Sequence, residues 1–96
     1  MPAYVIVMRE GPIQDAEAYD AYKRANRENP TGITLNPLAV YGAIHPLEGQ
    51  APDGVVMLQF DTVDAARAWY DSPQYQDAVR HRLRSGDWRA FIVEGM

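Results

Sequence analysis

One histidine of the chain is placed where it could carry out acid–base chemistry. His45 lies near the end of a predicted strand, and Glu48 follows closely enough in sequence to orient its ring. A histidine side chain titrates near neutral pH and therefore suits proton transfer. A histidine at a strand end beside a turn is also commonly solvated. His45 is accordingly the candidate catalytic residue, and a plain surface role is the alternative.

Two aromatic residues flank a Ser-Pro pair at Ser72 and Pro73. Ser72 is predicted to cap a helix that has Pro73 at its first position. Its hydroxyl would then accept from the backbone, and no base is near in sequence, so a nucleophilic serine has little support. Trp69 and Tyr75 are predicted either to pack a helix against the sheet or to form the wall of a ligand pocket there.

A basic run follows within the same predicted helix. Helical spacing puts Arg80 and Arg84 on one face and turns Arg82 nearly the opposite way. Cations near a helix C-terminus interact favourably with the helix dipole, which accounts for most of the run. Arg82 is the exception, because it can turn inward and pair with an acid or with a ligand carboxylate.

Two more side chains complete the candidate substrate-binding set. Gln59 shares a strand face with Val55 and Met57 and needs a polar partner, which could be a ligand, a second subunit or water at the strand end. Tyr22 shares an apolar helix face with Ala18. With Trp69, Tyr75 and Arg82, these two residues are the predicted substrate contacts.

Several classes of function find no support in the sequence. The 2 histidines lie in separate elements, the chain has 0 cysteines, and no glycine-rich phosphate loop is present, so neither a metal nor a cofactor is expected. A net charge of −4 argues against a nucleic-acid partner. The N-terminal apolar run is too short for a signal peptide or a membrane span, which predicts a soluble, cytoplasmic protein.

The order of predicted elements indicates an α+β fold in one domain, residues 1–96. Strands are predicted over residues 3–8, 38–45, 55–60 and 88–93, and residues 48–54 make a hairpin turn between the middle two. Asp15 is predicted to cap a helix that ends near Glu28, and Asp61 to cap a second, before the helix that begins at Ser72. This is the ferredoxin-like βαββαβ order, with a four-stranded antiparallel sheet and helices on one face.

The first, third and fourth predicted strands are apolar on both faces, which predicts a homodimer. Ile6 and Met8 alternate with Val5 and Val7, and helices on one side of the sheet can cover only one of these pairs. An uncovered apolar face of this size is typical of a binding surface, and a second copy of the chain is its simplest partner. Val5 and Val7 are taken as the partner-facing pair.

A longer pattern resembles a known family. Phe60, the run Ala-Ala-Arg-Ala-Trp-Tyr-Asp-Ser-Pro-Gln-Tyr-Gln over residues 65–76, and Arg82 are similar to the signature of the domain of unknown function 1330. Leu-Glu-Gly at 47–49, Val-Glu-Gly at 93–95 and the opening residues 2–6 also match. The resemblance implies a dimeric α+β barrel, a superfamily that includes cofactor-free monooxygenases, lactone isomerases and haem enzymes, and it implies no single activity.

The chain departs from the family pattern in one place. Many members carry basic residues around the second strand, where this chain has Pro37 and Tyr41. The resemblance therefore does not transfer an anion-binding role to these two positions.

Three functions are compatible with these observations. The first is a cofactor-independent enzyme of isomerase, monooxygenase or lyase type, acting on a small organic substrate in a helix–sheet pocket with His45 as acid–base. The second is a non-catalytic ligand-binding or interaction dimer, which the absence of a convincing catalytic cluster favours. The third uses the amine of Pro2, freed by removal of Met1, as a base; Pro2 is equally ordinary at the start of a strand.

Overall fold

The computed structural model describes all residues from 1 to 96. It has four strands and three helices, in the order β1 (Ala3–Arg9), α1 (Ala16–Glu28), β2 (Asn36–Val40), β3 (Gly54–Phe60), α2 (Val63–Asp71), α3 (Pro73–Ser85) and β4 (Trp88–Glu94). None of the helices is both long enough and apolar enough to cross a membrane.

The strands form one antiparallel sheet in the order β2-β3-β1-β4. At its centre Val5 of β1 lies opposite Leu58 of β3 and Ile92 of β4. All three side chains point to the side of the sheet that the helices cover. The predicted α+β class and ferredoxin-like topology are confirmed.

Side-chain caps set the starts of the helices. Asp15 Oδ1 accepts from the Ala18 amide at 3.0 Å, as its position before the helix predicts. Ser72 Oγ accepts from the Tyr75 amide at 3.2 Å and donates to the Trp69 carbonyl at 2.7 Å, so one hydroxyl joins the end of α2 to the start of α3. The predicted cap at Asp61 is wrong: Thr62, one residue later, accepts from the Ala65 amide.

Strand β2 differs from its prediction because the backbone turns at Tyr41. The strand ends at Val40 instead of continuing to residue 45, and it contains an irregularity between Pro37 and Ala39. Tyr41 has a φ of 54°, in the left-handed region that a bulky side chain seldom adopts. Its amide still donates to the Val55 carbonyl at 2.9 Å, so the chain leaves the sheet immediately after this bond. His45 consequently lies in the connector and not on a strand.

The two faces of the sheet have different environments. Val5 and Val7 are buried beneath the helices, so the prediction that they form the partner-facing pair is wrong. Ile6 and Met8 point to the open face, where Phe91 of β4 is 45% exposed. The buried core lies on the helix side and contains Val5, Val7, Phe60, Ala66, Trp69, Tyr75 and Val79.

Candidate functional site

A cleft of about 730 Å³ opens on the helix-covered side of the sheet. One wall is the C-terminal half of α1, with Tyr22 and Asn26, and the opposite wall is β2, with Pro37 and Val40. The connector of residues 29–35 closes the side between them. The cleft therefore lies between helix and sheet, where the sequence predicts a pocket.

The floor and side of the cleft are largely apolar. Val56 and Leu58 of β3 form the floor, and Ile33 and Leu35 of the connector form the side. All four are partly buried and pack against the core, because alternation along β3 and in the connector turns them inward. Such walls suit the hydrocarbon body of a small organic molecule.

A pair of phenols supplies polarity at one end. The hydroxyl oxygens of Tyr22 on α1 and Tyr75 on α3 lie 3.0 Å apart, at hydrogen-bonding distance. Burial raises the pKa of the Tyr75 phenol, the nearby Tyr22 raises it further, and the charge of Arg82 opposes the rise. Tyr75 is therefore protonated at neutral pH. The bond between the two hydroxyls uses the proton of one of them. The proton of the other hydroxyl is available to donate to a ligand oxygen.

Trp69 belongs to both the core and the cleft. Its ring centroid lies 4.0 Å from that of Tyr75 and 5.5 Å from that of Phe60. The indole is buried, yet one part of it lines the cleft. Trp69 and Tyr75 thus pack in the core and also line the cleft, while their contact with a ligand stays a prediction.

Arg82 lies buried behind the tyrosine end of the cleft. Its guanidinium carbon is 5.8 Å from the ring centroid of Tyr22 and 5.4 Å from that of Trp88. The residue is 2% exposed, and its Nε and Nη1 atoms have no hydrogen-bond partner. The side chain therefore turns inward, in line with its helical spacing, while its part in ligand binding stays a prediction.

Tyr41 lines the cleft, and the spacing of residues in the sequence does not predict this position. Its ring packs edge-on against Tyr19 and Trp88, at centroid distances of 6.3 and 6.4 Å. It also covers Gly54, where an added Cβ would come within 3.2 Å of the Tyr41 ring. Because its orientation follows from the left-handed backbone at Tyr41, no periodic pattern in the sequence could have indicated it.

Three further sequence candidates do not line the cleft. His45 is exposed in the connector between β2 and β3, and its catalytic role remains an untested prediction. Gln59 points to the open face of the sheet, where its Oε1 accepts from Asn36 Nδ2 at 3.4 Å. Pro2 is also absent from the cleft, and its carbonyl accepts from the Gly95 amide.

The sequence reasoning also missed polar residues of the cleft mouth. Lys23 and Asn26 of α1 and Thr31 and Thr34 of the connector line it. Asn26 lies four positions after Tyr22 on the same helix face, and that spacing was an available signal. No group of three or more histidine, aspartate or glutamate side chains is arranged to hold a metal ion.

Comparison with known proteins gives a family and a fold. The model of Domain of unknown function (DUF1330) matches residues 2–96. None of the curated proteins matches the chain. The solved structure of the methylated RPA0582 protein of Rhodopseudomonas palustris, a protein of unknown function, is similar, with a TM-score of 0.70 at 21% identity over 99% of this chain and 81% of that one.

Two other structures share the fold. A dimeric ferredoxin-like protein of unknown function from Jannaschia sp. CCS1 has a TM-score of 0.66 at 16% identity, over 99% of this chain and all of that one. SnoaB of Streptomyces nogalater, a cofactor-independent oxygenase solved as a mutant, has a TM-score of 0.53 at 12% identity, over 98% and 91% of the two chains. At these identities the likeness shows the ferredoxin-like fold alone.

Proposed function

This chain belongs to the DUF1330 family, and we propose that it is a homodimer in which each subunit binds a small, largely apolar organic molecule in the cleft. The observation that carries the proposal is the cleft itself, whose volume of about 730 Å³ falls within the range of small-molecule sites. Apolar walls with a few convergent hydroxyls at one end are the usual composition of such sites.

The hydroxyl pair would orient the ligand. Val56 and Leu58 offer no hydrogen bonds, so a polar group of the ligand would turn toward Tyr22 and Tyr75. The one hydroxyl proton that the Tyr22–Tyr75 bond does not use would have no acceptor against a hydrocarbon, and this cost would disfavour molecules that present only hydrocarbon at that end. The cleft thus favours a molecule with an apolar body and one polar end.

The dimer part of the proposal rests on the open face of the sheet. Phe91 and Val93 are both more than two-fifths exposed there, beside the half-buried Tyr4, Ile6 and Met8. An apolar surface of this extent is typical of an interface. Solved proteins with this fold are described as dimeric, which favours a second copy as the occupant.

A cofactor-independent enzyme is the second candidate, and the phenol pair favours it. A Tyr22–Tyr75 pair can hold a proton against a substrate oxygen and stabilise charge that develops there. SnoaB, a cofactor-independent oxygenase, has the same fold. In this reading the substrate lies in the same cleft, and no residue outside it is required.

The proposal is tested by a thermal-shift screen of small metabolites, followed by chemical-shift mapping of each hit. Binding should raise Tm and perturb the backbone amides of Tyr22 and Tyr75. Mass spectrometry of the incubated hits then separates the two candidates, because conversion supports the enzyme and binding without conversion supports the ligand-binding dimer.

Two matched substitutions locate the binding. Val40→Trp should fill the cleft from β2 and abolish the Tm shift, since Val40 lines the cleft. Leu38→Trp, on the same strand but outside the cleft, should leave the shift in place. Equal binding by both variants, or no hit that perturbs the cleft, would contradict the proposal.

A further inference from the structure

Arg82 is a buried cation without a counter-charge. The ion pairs of the protein are Lys23–Asp20, Arg80–Asp77 and Arg89–Glu10, all at the surface. Arg82 takes part in none of them, although it is 2% exposed and two of its three guanidinium nitrogens make no hydrogen bond. A buried charge is costly unless an opposite charge or hydrogen-bond acceptors surround it.

Aromatic rings offset only part of the cost. Tyr22 and Trp88 stand over the guanidinium at 5.8 and 5.4 Å, which are cation–π distances. A ring face attracts the positive charge, but it does not accept hydrogen bonds from the N–H groups that lie in the plane of the guanidinium. Nε and Nη1 belong to the two different edges that a carboxylate can bind, the Nε/Nη2 edge and the Nη1/Nη2 edge, so each edge has an N–H group without an acceptor. Arg82 therefore lacks an acceptor for its N–H groups, and an anion would supply one.

The cleft is the route by which an anion would arrive. Of the two rings over Arg82, Tyr22 lines the cleft and Trp88 does not. Burial raises the pKa of the phenols of Tyr41 and Tyr75, two further tyrosines that line the cleft, and the charge of Arg82 opposes this rise. Tyr22 thus lies against both the cleft and Arg82, and a displacement of its half-buried ring would let a carboxylate reach the guanidinium.

We infer that the cleft binds a monocarboxylic acid, whose carboxylate pairs with Arg82 and whose hydrocarbon body lies along Val56 and Leu58. This rests on the proposed function of the cleft. A phosphate dianion fits less well, because Lys23 is the one cation that lines the cleft and its Nζ lies 3.4 Å from Asp20 Oδ1. One buried guanidinium beside apolar walls matches one negative charge on an apolar molecule.

The test compares acids with their own amides. A panel of aromatic and branched aliphatic carboxylic acids, each with its primary amide, is titrated against the wild-type protein by chemical-shift mapping. Each acid should bind about tenfold or more tightly than its amide, the ratio expected for hydrogen bonds to a charged group. The preference should disappear in Arg82→Met and persist in Arg80→Met, a control on the exposed face of the same helix.

The outcomes separate this inference from the proposal on which it rests. Amides that bind in the cleft as tightly as their acids would overturn the carboxylate inference and leave the small-molecule site standing. A panel in which neither acids nor amides perturb the cleft residues would overturn both. The comparison in wild-type protein decides the point even if Arg82→Met does not fold. An acid preference that survives in a folded Arg82→Met protein would also overturn the inference.

Discussion

The hydroxyl oxygens of Tyr22 and Tyr75 lie 3.0 Å apart although 53 residues separate them in the chain. The contact joins α1 to α3 at the end of the cleft, and Trp69 packs at a tilt on the Tyr75 ring, with the two ring centroids 4.0 Å apart. A ligand that reached these hydroxyls would therefore touch the core and the site at once. Stability and binding are coupled at this point of the molecule.

Removal of one hydroxyl of the pair should destabilise the protein more than its lost bond implies. Tyr22→Phe leaves the buried Tyr75 hydroxyl without a partner and should cost about 1–2 kcal/mol of unfolding free energy. The double variant Tyr22→Phe/Tyr75→Phe should lose less than the sum of the two single variants, because no orphaned hydroxyl remains. Urea denaturation of the four proteins measures the cycle, and additive losses would contradict the bond.

Stability should fall in alkaline solution. Burial raises the folded-state pKa of Tyr75 above its ordinary value of 10.0. The unfolded chain then loses its phenolic protons first, so the contribution of this group is complete below about pH 10 and declines as pH rises beyond that value. Urea denaturation from pH 8 upward should show a fall that is smaller in Tyr75→Phe. An identical pH profile for the two proteins would refute the assignment to Tyr75.

Trp69 should behave as a core residue under truncation. Trp69→Ala removes a buried ring that packs on Phe60 and Tyr75, and should lower the unfolding free energy by about 3–5 kcal/mol. Trp69→Phe keeps an aromatic ring at the contact and should lose less. Thermal melts of both variants provide the measurement. A small loss in Trp69→Ala would mean that the indole serves the cleft alone.

A charge on the open face should separate the proposed dimer without unfolding its subunits. Phe91→Asp replaces a ring that is 45% exposed in the subunit, so the fold can tolerate the aspartate while the interface cannot. Leu83→Asp, at a 57% exposed residue of α3, is the control and should stay dimeric. Light scattering at micromolar concentration gives the masses. A monomeric wild-type protein would end the dimer proposal.

Removal of the unpaired charge of Arg82 should stabilise the protein in the absence of a ligand. Arg82→Met removes a buried guanidinium that lacks a counter-ion, and should raise the unfolding free energy by about 1–3 kcal/mol after the loss of the cation–π contacts. Arg80→Met loses only an exposed pair with Asp77 and should change it by less than about 1 kcal/mol. Denaturation curves without added ligand test both, and a destabilised Arg82→Met would show that Arg82 is satisfied in solution.

The local chemistry of the sequence was sufficient to predict the helices and strands and their order along the chain. Asp15 and Ser72 cap helices because their side chains can reach amides three residues ahead, which depends on no distant contact. The same holds for the inward turn of Arg82, which follows from helical periodicity. Even the slip from Asp61 to Thr62 is local, since both residue types cap well and only the backbone geometry at residue 62 distinguishes them.

Tertiary structure decided which sheet face is covered and which residues meet. Val5 and Ile6 are both apolar, so alternation alone could not tell that the helices pack on Val5. The Tyr22–Tyr75 contact joins two helices that are distant in sequence, and the left-handed Tyr41 is held by packing on Gly54. Periodicity along a chain assigns residues to faces, but only the packing of those faces brings distant side chains into one cleft.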